Sequence, residues 1–184
     1  MNPKIHRVGK LNFRYAIYLL LAFLFASCGY RFAGGEDFPF GIEKIFVPVF
    51  ANRSGETGIE ATITNDFIYE FIRSNKVEVV NPGNSDAVFS GVIRSISIGS
   101  VARSSIQISL ERRVKVTLDL KLTDRSGNVL WAARGISEDE AYNVASDKLS
   151  TERNRRRAIS RLSERMAQIV YNTITDIEGG LLAK

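Results

Sequence analysis

The chain predicts a two-layer α+β fold: two amphipathic helices packed on one face of a mixed four- to five-stranded sheet, in the order β-α-β-β-β-β-α. Three observations carry this. From Ile106 to Thr123 polar odd positions alternate with apolar even ones, a period of two that gives one wet and one buried sheet face. Ile59, Ile63, Phe67 and Phe71 recur every four residues, the spacing of a helix stripe. Ile159, Leu162, Met166, Ile169, Val170, Thr173 and Ile177 form a second such stripe. Two stripes and one apolar sheet face bury each other when both helices lie on the same side.

In chain order, the first segment is cationic and free of acids (Lys4, Arg7, Lys10, Arg14), followed by an unbroken apolar run from Tyr15 to Ala26. Ala26, Ser27, Cys28 and Gly29 then complete a bacterial export signal with a small-residue cleavage site. Twelve apolar residues fall short of the roughly 20 that a bilayer span needs. The lone Cys28 reads as a lipid attachment point, a diacylglyceryl cysteine with an added N-acyl chain of the palmitate type. Two or more chains anchor stably where one holds only marginally. An ordinary signal peptide cut near Ser27 is the alternative; Phe25 stands third before the cysteine, where lipoprotein signals usually carry Leu. Residues 1–27 are thus read as a removed signal peptide, 28–41 as a lipidated tether, and 42–184 as one α+β domain.

Ile42–Phe50 is dense in Ile, Val and Phe and reads as a strand, with Pro48 marking an edge or a bulge. Asn52-Arg53-Ser54-Gly55 is a loop signal. Thr57-Gly58-Ile59-Glu60 has capping-box spacing and opens a helix that ends near Asn75. Val77–Val80 is a short strand closed by Asn81-Pro82-Gly83-Asn84. Ala87–Ile98 is a longer one, with apolar residues at both parities (Val88, Phe89, Val92, Ile93), as expected when both faces are partly covered. Gly99–Ser105 breaks it. The alternating strand Ile106–Thr123 would span roughly 60 Å at 3.3 Å per residue, so it must bend, bulge or project. Arg112 breaks its apolar face where a bend would fall. Asp124–Asn128 forms a turn, and Val129–Ile136, with Trp131, returns as a hairpin partner. Glu138-Asp139-Glu140 reads as a solvated acidic loop.

The last helix runs from about Thr151 to Ile177 and is predicted to stop at Gly179-Gly180. Arg153, Arg157, Arg161 and Arg165 form a second stripe on it, with Arg155 and Arg156 beside them. Cations in the first turns oppose the helix dipole. Either Asp147, Glu152 or Glu164 offsets them, or an anionic partner does, phosphorylated lipid or acidic groups on another protein.

Composition narrows the function. The first 27 residues hold four of the 25 Lys and Arg and none of the 20 acids, which leaves the remaining chain at +1. Its high pI therefore gives no support to nucleic-acid binding. His6, the only histidine, lies in the signal, and an acylated Cys28 offers no thiol. Ser-His-Asp and Cys-His catalysis and His/Cys zinc sites are excluded on that inventory, as is a Gly-rich phosphate loop. No enzyme, cofactor or metal is expected beyond the covalent lipid on Cys28.

Cys28-Gly29-Tyr30-Arg31-Phe32 resembles the mature start of the LptE family of lipopolysaccharide-assembly lipoproteins. The resemblance continues through Ile45–Phe50 with Asn52, Asp86-Ala87-Val88-Phe89-Ser90-Gly91, the alternating strand from Val114 to Val129-Leu130-Trp131, and Arg157-Ala158-Ile159. It implies a non-enzymatic protein, lipid-anchored at the outer membrane, that assists lipopolysaccharide assembly as plug and folding partner of an LptD-like β-barrel translocon. Its domain would face the periplasm or the barrel lumen, and Gly29 after the cysteine fits release to the outer membrane under the enteric sorting rule. Candidate contacts with lipopolysaccharide or barrel are Arg112, Arg113, Lys115, Arg153, Arg157 and Arg161. Ile45–Val80 also resembles periplasmic lipoproteins that act on secretion or cell-wall synthesis machinery, the alternative reading.

Overall fold

A computed structural model describes residues 38–100 and 111–181, with side chains as far as residue 177. The signal peptide, Cys28, the tether as far as residue 37, residues 101–105 of the predicted break and the strand start at 106–110 lie outside it; Gly99 and Ser100, read as the start of that break, instead continue the strand that begins at Ala87. The elements are β1 (Lys44–Phe46), β2 (Ala51–Asn52), α1 (Ile59–Ser74), β3 (Glu78–Val79), β4 (Ala87–Ser100), β5 (Glu111–Asp124), β6 (Val129–Asn143) and α2 (Lys148–Leu181). The sheet order is β3-β1-β4-β5-β6, with β2 also on the edge of β4. β1 lies parallel to β3 and β4, β2 parallel to β4, and the β4-β5-β6 meander is antiparallel. The sheet is mixed, as predicted, with six strands among the described residues, because Pro48 divides Ile42–Phe50.

Both helices cover one face. Val114, Val116, Leu118, Leu120 and Leu122 of β5 are at most 2% exposed and share one core with Ile63, Phe67 and Phe71 of α1 and Leu162, Met166 and Ile174 of α2. An aromatic cluster fills the centre: the Phe89 ring lies 5.1 Å from Phe71 and 5.6 Å from Phe67, and Phe50 lies 5.2 Å from Phe67. Phe38 is buried against Phe71 and Tyr171, so the core takes in a residue read as tether. Phe50 lies flat over Gly91, where a Cβ would come within 2.5 Å of its ring. Thr64 Oγ1 holds that segment to α1, accepting the Phe50 N–H at 2.9 Å and donating to the Glu60 carbonyl at 2.7 Å.

Several expectations are corrected. Arg112 stands in regular register, and the irregularities fall elsewhere, one along β4 and two along β6. Arg94 is an extra residue on β4 between Ile93 and Ser95. This switches the helix-side parity from Ala87, Phe89 and Ile93 to Ile96 and Ile98, which explains apolar residues at both parities. On β6 the register shifts opposite Asp119, where Gly135 takes a φ of +67°. Glu138-Asp139-Glu140 is part of β6, paired with Val116, Lys115 and Val114. α1 is capped at Gly58 (φ +86°) with no contribution from the Thr57 hydroxyl; Glu60 supplies the other half of the box by accepting the Gly58 N–H at 3.1 Å. α2 starts at Lys148, where Asp147 accepts the Ser150 N–H at 2.8 Å, and runs through Gly179-Gly180. Glycine lowers helix stability by about 1 kcal/mol without forbidding the conformation.

Candidate functional site

The i+4 arginine stripe of α2 runs over the open edge of β6. Arg161 pairs with Glu140 at 2.9 Å, and Arg165 pairs with the same carboxylate at 2.9 Å. Arg165 also donates to the outward Asp139 carbonyl at 3.1 Å, and Asn154 donates to the Asn143 carbonyl at 2.9 Å. The helix thus satisfies acceptors that an edge strand would otherwise leave unpaired. Burial raises the Glu140 pKa, but hydrogen bonds from Arg161 and Arg165 outweigh it and hold the carboxyl below its ordinary value. Further along, Arg155 turns inward to Glu152 at 2.9 Å and Glu56 at 3.1 Å, and Arg156 pairs with Glu152 at 3.2 Å. Of the three predicted counter-charges only Glu152 pairs directly with an arginine among the described residues, while Glu140 takes the part assigned to Asp147 and Glu164.

One cation of the stripe is left over. Arg157 is exposed and makes no ion pair or hydrogen bond among the described residues. It lines a cleft of about 280 Å³ with Glu111, Tyr142, Asn143, Asn154 and Arg161. A free guanidinium with donors beside it can recognise a carboxylate or phosphate bidentately.

The other candidates fall elsewhere. Arg112 is exposed at the start of β5, on the helix-side parity, opposite Tyr142. Arg113 and Lys115 project from the opposite sheet face; Arg113 pairs with Asp139 at 2.8 Å, while Lys115 is exposed and unpaired among the described residues. Arg153 donates to the Ser150 hydroxyl at 2.9 Å. Arg157 and Arg161 are therefore brought together in the cleft, Arg113 and Lys115 on the bare sheet face, and the two groups are not joined into one site. Glu140, read as part of an acidic loop, and Asp119, read as one of the polar positions of the alternating strand, were given no site role by the sequence. The period of two through Ile136, Glu138, Glu140 and Tyr142 is the signal that could have placed Glu140 on a strand.

Among the described residues no group of three His, Cys, Asp or Glu side chains is arranged to hold a metal ion. No helix there is long and apolar enough to cross a membrane.

A family model described as LptE, lipopolysaccharide-assembly, matches residues 42–174. No curated protein matches the chain. Solved structures similar to it include a lipoprotein B from Nitrosomonas europaea, 13% identical, covering 75% of this chain and 85% of that one with a TM-score of 0.48. The rare lipoprotein B from Shewanella oneidensis is 11% identical, covering 76% and 98% with a TM-score of 0.47. A minor lipoprotein from Acinetobacter baumannii is 12% identical, covering 72% and 90% with a TM-score of 0.47.

Proposed function

The chain belongs to the LptE, lipopolysaccharide-assembly family, and on that premise we propose that it is an outer-membrane lipoprotein, lipidated at Cys28, that serves as plug and folding partner of an LptD-like β-barrel translocon. It acts by binding, with no turnover of its own. The observation that carries this is the family match, which spans the domain from before β1 to the last buried turn of α2 at Ile174. Two features of the geometry support it. A plug must present polar surface to a polar barrel interior, and the bare face of β5 carries Arg113, Lys115, Thr117, Asp119 and Lys121. Lipopolysaccharide carries phosphates and carboxylates, and Arg157 offers an unengaged guanidinium in a polar cleft. Arg112, Arg113, Lys115, Arg153 and Arg161 are the remaining contact residues in this reading, with Arg161 shared between Glu140 and the partner.

Purification of the lipidated protein from detergent-solubilised outer membranes tests it. A large β-barrel recovered in stoichiometric amount supports the plug. Recovery of a cell-wall synthase or secretion component in its place overturns it and favours the activator class. Arg157→Ala is the informative substitution within the cleft, because Arg157 makes no ion pair or hydrogen bond among the described residues and its removal leaves the Glu140 pairings intact.

A further inference from the structure

We propose that the helix-free face of the sheet is a docking surface for an acidic protein wall, seated along β5 and centred between Lys115 and Lys121. The proposal rests on the barrel-plug reading and assigns the face that meets the barrel.

The side chains on this face follow from register. Ser90, Val92, Ser95 and Ser97 of β4 stand opposite Lys121, Asp119, Thr117 and Lys115 of β5. Ala132, Ser137, Asp139 and Ala141 of β6 stand opposite Lys121, Thr117, Lys115 and Arg113. Most are short, so the surface is flat, and charged side chains rise from it. Asp119 and Asp139 are already engaged, by Arg94 at 2.9 Å and Arg113 at 2.8 Å. Lys115 and Lys121 are exposed and have no ion pair among the described residues. They share one strand face six residues apart, about 20 Å at the usual rise. The face therefore offers uncompensated positive charge whose complement is a wall carrying carboxylates at similar spacing.

A lipid surface is a poorer occupant. Interfacial binding buries large apolar side chains among the headgroups. Among the described residues of β4, β5 and β6, the one exposed large apolar side chain on this face is Val129, beside the β5–β6 turn and away from the two lysines. The other exposed apolar residues on the β-strands and helices, Tyr69, Ile72, Ile98, Leu149 and Ile169, lie on the helices or, for Ile98, on the helix-side parity of β4.

The test uses the full lipidated chain in its own outer membrane, with a photo-crosslinking amino acid placed singly at Ser97, Thr117 or Ser137, and at Thr62 on α1 as control. The expected result is a crosslink to a large β-barrel protein from the three sheet positions and a weak one from Thr62. In parallel, Lys115→Gln with Lys121→Gln lowers barrel recovery about three- to fivefold, with the loss smaller in high salt, while the thermal midpoint stays at the wild-type value. Crosslinks from Thr62 alone, or crosslinks from the sheet positions to lipid, overturn the assignment of this face while wild-type barrel recovery keeps the plug reading intact. Absence of any barrel in the wild-type purification removes both.

Discussion

Asp119 accepts the Gly135 N–H at 2.8 Å, binding the middle of β5 to the bulge of β6. The same carboxylate takes the Arg94 guanidinium of the β4 bulge at 2.9 Å. One side chain thus fastens two register shifts, one on each neighbouring strand. The Gly135 amide, followed by Arg94, holds the Asp119 carboxyl below the ordinary carboxylate range.

Asp119→Asn is expected to lower the thermal midpoint at pH 7. Because the folded-state pKa is depressed, the stabilisation is fully present above the unfolded value near 4 and lost as pH falls through the folded one. Thermal scans of wild type and variant between pH 7 and 3 should converge at the acid end; a constant gap would contradict this. Gly135→Ala forces a side chain into the left-handed region and should cost about 1–2 kcal/mol at any pH.

Gly91→Ala places a methyl where the Phe50 ring already lies, 2.5 Å from its Cδ2. Overpacking of this kind costs about 1–3 kcal/mol. Phe50→Leu in the same chain should recover part of that loss, read by urea denaturation as a non-additive double-mutant cycle. Strict additivity would show that the two side chains do not meet.

Glu140→Gln removes the charge that receives Arg161 and Arg165. With both guanidinium groups largely in solvent, the expected loss is about 1 kcal/mol rather than the full value of a charged hydrogen bond. Hydrogen exchange should quicken first at the β5-facing amides of Glu138, Glu140 and Tyr142, where α2 covers the strand. Uniform exchange changes would argue against the edge-capping role.

Asp66 behaves in the opposite sense to Asp119. Burial against α2 pushes its carboxyl above the ordinary value, with the neighbouring Ser163 hydroxyl opposing and Glu164 adding to the rise, and Asp66 Oδ2 and Ser163 Oγ are both buried without a hydrogen-bond partner among the described residues. A raised carboxyl pKa takes stability away as pH rises through it. Asp66→Asn should therefore raise the thermal midpoint at pH 7, with the gain shrinking as pH falls through the raised folded value and gone below the unfolded value near 4. A lower midpoint at pH 7 would contradict it.

The two helix stripes and the alternation of β5 were legible because each is a long repeat of one period. The parity switch at Arg94 was not, since a bulge inserts one residue and leaves two apolar phases that resemble two covered faces. The acidic run of β6 concealed a strand for a related reason: Glu140 faces the helix side because Arg161, 21 residues on, meets it there. Pairing across that distance leaves no local trace. Gly58 took the cap from Thr57 because a residue at φ +86° can close the loop before α1. The arginine stripe was visible, but which of its members stays free depends on Glu56, Glu140 and Glu152, and only the fold brings those to it.

Depletion of the protein in its own cell, with surface lipopolysaccharide and barrel maturation followed together, tests the assembly role most directly. Surface lipopolysaccharide is expected to fall and the barrel to fail to reach its mature form, both restored by the wild-type chain. Normal surface lipopolysaccharide with a fully matured barrel after complete depletion would contradict it.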